Sequence, residues 1–400
     1  MMVIMDTIWI IFLAVIGACV GSFLNVVIYR LPRGESIVFP GSHCPRCGRA
    51  IKAYDNIPIL SYLLLLGKCR FCKVRISPRY IAIEALTGGL LVGLYVCYYI
   101  LHLRDGAGTF EHSWPTYAAH AALLCGLLVC SAVDIEHWIV PLEVCWIVSM
   151  IGMISSAAAP QQSWMPPISA SWAAGSLAAA IGLVISLILQ HYGLIQPSFM
   201  DARDKPIASP AKEPSQSAAN KERKQPKAVA FTKEHGVNPR IEILREVMFL
   251  TPAIVLAVVA YTLVTNVHVP GRAWQKLLDW PLVGPHIKGL LAAVMGYLIG
   301  GLWIWGTRIL GTLAFGKEAM GLGDVHILAA VGAVTGWIVP SIAFFLAPLF
   351  GLLWALYLWL RRNQKELPYG PWLAAAAVVV MIFHDKFFAL FRAYMDAMSY

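Results

Sequence analysis

Six side chains in this sequence have types and spacings suited to chemistry. Four are thiols. Cys44-Pro45-Arg46-Cys47 and Cys69-Arg70-Phe71-Cys72 form two CxxC pairs separated by 21 residues. That is the spacing of a tetrahedral four-thiolate zinc site, in which each pair bends as a knuckle and the intervening chain closes into a small lobe. With all four ligands supplied by cysteine, no position is left for water, so the metal would be structural. Two redox-active pairs or two disulfides are the competing readings, and a reducing cytoplasmic face favours the metal.

The other two are aspartates. Asp134 ends the apolar run 118–133, and Asp324 closes Gly321-Leu322-Gly323-Asp324 just ahead of the apolar run 325–339. A carboxylate inside or at the edge of a membrane is costly, which makes each one a functional hypothesis. Two together can hydrolyse a peptide. One takes a proton from water as it attacks the carbonyl, and the other, protonated, donates to the carbonyl oxygen; neighbouring carboxyls do not ionise together easily, which separates the two roles. The simpler readings are a helix cap for Asp324 and a solvated helix end for Asp134.

Composition dictates what must position these groups. The 400 residues are 58% hydrophobic and only 13% charged, with a mean hydropathy of +0.67, whereas soluble domains carry about 25% charged residues. The apolar residues fall in blocks long enough to cross a bilayer. Spans are expected at about 7–29, 80–102, 117–133, 139–158, 169–192, 246–268, 288–312, 325–339, 341–360 and 371–391, giving an all-α polytopic membrane protein of about ten helices, with Pro340 separating two of them. The first block has no basic residue ahead of it and no cleavage site after it, so it reads as a retained helix rather than a signal peptide.

The net charge is +9, but its distribution points to topology rather than to nucleic acid. Ten Lys/Arg between Arg30 and Arg79 lie in one loop, which positive-inside logic places in the cytoplasm. The segment 193–245 and the Arg361-Arg362 turn, both basic, then also fall inside, while 103–116, 159–168 and 269–287 fall outside with few basic residues. Both aspartates come to the cytoplasmic edge. The expected organisation is a first helix over 1–29, a cytoplasmic zinc lobe over 30–79, helices carrying Asp134 over 80–192, a disordered linker over 193–245 and helices carrying the GxGD segment over 246–400. The linker is rich in Pro, Lys, Ser, Ala and Gln and cannot bury enough surface to offset its ordering entropy. Cys19, Cys97, Cys125, Cys130 and Cys145 read as small core residues.

Several ordered motifs together resemble the type IV prepilin peptidase/N-methyltransferase family of GxGD-type membrane aspartyl proteases. They are Gly21-Ser22-Phe23-Leu24-Asn25-Val26-Val27-Ile28-Tyr29-Arg30-Leu31-Pro32, the two CxxC pairs, Tyr54–Tyr62, Ile76-Ser77-Pro78-Arg79-Tyr80 with Glu84, Gly321–Ala330, and Leu367-Pro368-Tyr369-Gly370-Pro371. The resemblance covers about 20–160 and 290–390. It implies an enzyme in the bacterial inner membrane that cuts the leader of prepilins or pseudopilins at the cytoplasmic face, ahead of their hydrophobic N-terminal helix. It further implies methylation of the new N-terminus from S-adenosylmethionine. By the same resemblance the catalytic aspartates are Asp134 and Asp324, and the zinc ligands Cys44, Cys47, Cys69 and Cys72.

The chain departs from the family pattern in three places. Leu142 stands where Asp or Asn usually follows Pro141, and His326 stands where Lys is common. The two aspartates are separated by 189 residues, which reads as an insertion within about 160–290 of two helices plus the linker. An even number of added spans keeps both aspartates on one side. No glycine-rich nucleotide loop marks a cofactor site, although Asn56, Arg79 and Glu84 lie near the lobe. A cleavage-only peptidase, a non-catalytic membrane scaffold and a transporter are the alternatives.

Overall fold

The computed structural model describes residues 2–44, 46–160, 164–199, 239–362 and 368–398. Helices make up the architecture, and among the described residues the only strand-like pairings are two isolated bridges in the cysteine lobe. The helices are α1 (Met2–Arg30), the short α2 (Leu60–Leu64), α3 (Arg79–Tyr95), α4 (Phe110–His137), α5 (Leu142–Ala158), α6 (Ala170–His191), α7 (Pro239–Asn266), α8 (His268–Leu278), α9 (Gly284–Phe315), α10 (Leu322–Thr335), α11 (Ile338–Arg362), α12 (Gly370–Ile382) and α13 (His384–Met398). Six of these are long and apolar enough to cross a membrane, or seven if the bent α12–α13 pair counts as one span. The chain is therefore a multi-pass helical membrane protein. Of the ten expected spans, those at α5, α10 and α11 correspond to shorter apolar helices.

Three antiparallel pairs organise the bundle: α1 with α3, α6 with α7, and α9 with α10. Lipid offers no hydrophobic drive for helices to associate, so small residues that let backbones approach supply dispersion contacts instead. A Cβ on Gly296 of α9 would overlap the Gly332 carbonyl of α10, and one on Gly300 would overlap Leu328. These two contacts fix the register of α9 on α10. Around α10, which is buried along nearly its whole length, pack α4, α5, α11 and α12, with Leu123, Leu127, Ile327, Leu328, Val331 and Leu373 in one continuous core.

Several boundaries differ from expectation. The α10–α11 break falls at Gly336, whose φ of 81° suits glycine, and not at Pro340, which sits in the first turn of α11 where its missing N–H costs nothing. The span expected at 371–391 is broken by a 77° bend at Phe383. α7 begins at Pro239, because Glu242 and Glu246 find partners there: Glu242 accepts from the Phe199 N–H at 2.7 Å and pairs with Arg245, also at 2.7 Å. The expected linker over 193–245 is thus helical from 239 onward, and its central part, 200–238, lies outside the described residues. Residues 268–278, assigned to an outer loop, form the amphipathic α8. Cys19, expected in the core, is exposed, whereas Cys130 and Cys145 are buried with their sulfurs 3.8 Å apart.

Candidate active site and metal centre

The lobe begins where α1 ends. Its two CxxC turns repeat one hydrogen-bond pattern. Cys44 N–H donates to Arg49 O and Gly48 N–H donates to Cys44 O, both at 2.9 Å; Cys69 N–H donates to Val74 O at 2.9 Å and Lys73 N–H to Cys69 O at 3.0 Å. Each turn is closed by an antiparallel bridge, His43 with Ala50 and Lys68 with Arg75. The residue four beyond the first cysteine has a left-handed backbone in both turns, Gly48 at φ 68° and Lys73 at φ 56°.

Facing each other, the turns bring the sulfurs of Cys44, Cys47, Cys69 and Cys72 within 4.8 Å of one another, with Cys44 and Cys72 at 3.7 Å. Tetrahedral ligands at a Zn–S distance of about 2.3 Å stand about 3.8 Å apart, so the four sulfurs fit a metal ion. Backbone N–H groups of Cys47 and Arg46 hold the Cys44 thiol down at about 6, and those of Cys72 and Phe71 lower Cys69 in the same way. Both therefore favour the thiolate, the form that binds metal. Arg70 braces the lobe through a forked pair to Asp55, and this hydrogen bond keeps the Asp55 carboxyl below its usual range.

The lobe is docked on the bundle by motif residues. Asn25, 4% exposed on α1, donates from Nδ2 to the Tyr80 carbonyl at 3.0 Å, and Gly21 lies against the backbone of Glu84. The Glu84 carboxylate accepts from the Ile59 N–H at 2.7 Å, steadying a residue held at φ 62°. Arg79, at the start of α3, pairs with Glu136 near the end of α4. The lobe thus meets the bundle at the end where Asp134 lies.

Three helix ends converge there: the C-terminal end of α4 with Asp134, and the N-terminal ends of α10 with Asp324 and of α12 with Gly370. Asp134 is 7% exposed, and its Oδ2 accepts from the Gly370 N–H at 3.1 Å. A side chain at 370 would place its Cβ 2.7 Å from that oxygen, so only glycine fits. Gly323 packs on Val140 of the α4–α5 turn, where a Cβ would come within 2.6 Å. Asp324 is half-buried, and its Oδ2 lies 4.0 Å from where a Cβ on Gly321 would stand. Gly321, not Asp324, is the cap of α10, so the capping role does not account for this carboxylate. α4 ends at Trp138 in the left-handed conformation (φ 58°), a costly geometry for an aromatic residue and one found at functional sites.

Sequence reasoning singles out both aspartates and all four cysteines; the structure brings the four sulfurs together and places both aspartates at helix ends on the same side of the bundle. It misses the role of Gly370, which enters the sequence reading only as part of a motif. His326 points away from the pair toward Trp146, their rings 6.3 Å apart, and lines an apolar cavity of about 760 Å³ between α6, α7, α9 and α10.

A bundle of apolar helices, with two carboxylates at helix ends on one side and a four-cysteine cluster that could hold a metal ion beside them, defines a multi-pass membrane protein. Residues 15–98 match the Bacterial Peptidase A24 N-terminal domain. A prepilin leader peptidase/N-methyltransferase of Myxococcus xanthus is 38% identical over 49% of this chain and 52% of its own length, so that alignment spans about half of each. Proteins of the same name from Pseudomonas aeruginosa and Stutzerimonas stutzeri are 24% and 26% identical, over 93% of this chain and 89% and 90% of theirs. No solved structure matches the chain. Along most of its length the chain is thus similar to proteins named prepilin leader peptidase/N-methyltransferase.

Proposed function

We propose that this protein is a membrane aspartic endopeptidase of the bacterial inner membrane. It removes the leader peptide of type IV prepilin-like or pseudopilin-like substrates at the cytoplasmic face, and then methylates the new N-terminus. The observation that carries the peptidase reading is the convergence, at one end of the bundle, of the helix ends that bear Asp134 and Asp324, with the Gly370 N–H on the first.

The chemistry follows from two carboxyls, one ionised and one protonated. The ionised group takes a proton from a water as its oxygen attacks the scissile carbonyl carbon, while the protonated one gives its proton to the carbonyl oxygen. Collapse of the tetrahedral intermediate breaks the C–N bond, and the proton first removed from water goes to the leaving amine. Gly370 suits the orienting role because its N–H engages one oxygen of Asp134 and leaves the other for water. Glycines at 321 and 323 leave room for a substrate backbone to approach Asp324.

In the lobe, Cys44, Cys47, Cys69 and Cys72 would hold zinc, whose filled coordination shell supplies rigidity and not a reactive water. Methyl transfer draws its support from the relatives' names and would use S-adenosylmethionine. Of the three polar residues near the lobe, two are engaged within the protein. Arg79 is paired with Glu136 and Glu84 with the Ile59 N–H, leaving Asn56, which borders a cavity of about 390 Å³ with Ser22, Arg30 and Ser42. A cleavage-only enzyme is the second reading.

Reconstituted prepilin, incubated with wild type, Asp134→Asn and Asp324→Asn, tests both steps. Cutting by wild type alone supports the dyad, whereas full activity in either variant sinks it. A methyl group on the product N-terminus, seen by mass spectrometry only with S-adenosylmethionine, decides between the bifunctional and cleavage-only readings.

A further inference from the structure

Arg308 of α9 is 1% exposed, deep in a chain where an unpaired guanidinium would be prohibitively costly. Its Nε donates to Glu246 Oε1 of α7 at 2.7 Å. One terminal nitrogen donates to the Met320 carbonyl at 3.1 Å and pairs with Glu318 at 2.8 Å. The guanidinium also covers the Phe199 ring, 5.0 Å from its centroid, and Glu246 Oε1 accepts from Ser198 Oγ at 3.0 Å. A single side chain therefore gathers α7, the segment after α6 and the 316–320 loop.

The third of these destinations is what distinguishes Arg308 from a merely structural ion pair. Met320 immediately precedes Gly321, the cap of α10, and Asp324 lies one helical turn beyond. Glycines at 321 and 323 give this turn little stiffness of its own, so its position has to be imposed from outside. The rigid, planar fork of arginine can do that, because it engages a carboxylate and a carbonyl at once in fixed directions. We propose that Arg308, anchored by Glu246, is a positioning residue for Asp324. The contribution of the α6–α7 hairpin to the reaction is to present that anchor. The inference rests on Asp324 being a catalytic group.

The test uses the full chain in lipid nanodiscs with Arg308→Lys, Arg308→Met, Glu246→Gln and Glu318→Gln. Prepilin cleavage kinetics and amide hydrogen exchange of residues 316–324 are read together. A displaced Asp324 lowers kcat by up to about 100-fold with KM nearly unchanged. Arg308→Met is expected to show the largest fall, with Arg308→Lys partly rescued and Glu318→Gln the mildest. Exchange at 316–324 should quicken in the same order while that of α4 stays as in wild type. Wild-type exchange at 316–324 in folded Arg308→Lys and Glu246→Gln, or an unchanged kcat with only a lower Tm, overturns the proposal. A wild type that cuts no prepilin overturns the peptidase reading instead, and the exchange measurements then decide by themselves whether Arg308 holds the loop.

Discussion

The cysteine lobe and the aspartate site are built on opposite plans. Each half of the lobe is a local object: a turn of about seven residues, closed by its own backbone hydrogen bonds and repeated once with the same pattern at Cys44 and Cys69. The aspartate site has no local half. Asp134 and the Gly370 N–H that engages it are separated by 236 positions, and Asp324 arrives from a third helix. A metal centre of this kind tolerates change around it as long as its two turns fold. A carboxylate pair assembled from helix ends depends on how several helices pack, so distant substitutions reach it.

Substitutions can break or sharpen that contrast. The largest effect is expected for Asp134→Asn or Asp324→Asn, each of which should reduce prepilin cleavage by at least about 1,000-fold while thermal melting and metal content stay as in wild type. Next comes Gly370→Val, whose added carbons collide with the Asp134 carboxylate; kcat should drop by about 100-fold with zinc retained, measured by cleavage kinetics and metal analysis. Cys44→Ser, or stripping the metal with a chelator, reverses the pattern. Metal is lost and the lobe becomes protease-sensitive, yet cleavage per folded molecule falls by no more than about tenfold. The smallest effect is at Lys73, the non-glycine member of the two left-handed positions: Lys73→Gly should stabilise the metal-free lobe by about 1 kcal/mol in denaturant titration, whereas Gly48→Lys should do the reverse.

The same contrast separates what the sequence discloses from what it hides. The CxxC turns are legible in it because ligand spacing within a turn is a local property. Asp134 and Asp324 are legible for a different reason, namely that carboxylates beside apolar runs are expensive and that several motifs around them agree with one family. Partners far apart along the chain are not legible. Nothing in Gly370 announces that its N–H meets Asp134, nor does Arg308 announce Glu246. The start of α7 is hidden in the same way. Glu242 and Arg245 look like linker charge, and Glu246 like the first residue of a span, until Phe199 and Arg308 are seen to satisfy the two glutamates. Pro340 misleads because a proline between apolar runs suggests a break, whereas the first helical turn accommodates it.

The register of α9 on α10 carries a consequence for water. Gly300 meets Leu328 and Gly296 meets Gly332, so Asp324 stands level with Ile304, and α9 runs eleven residues farther to Phe315. At 1.5 Å per residue that overhang is about 16 Å. α9 as a whole measures about 48 Å and α10 only about 21 Å, against roughly 30 Å of hydrocarbon. The long helix therefore overreaches the short one at the end where Asp324 stands, and Arg308 on this overhang is covered by Glu246 and the 316–320 loop. Asp324 thus lies well short of the level that α9 reaches, so water for the proposed hydrolysis has to enter the depth of the bundle rather than stay at its rim.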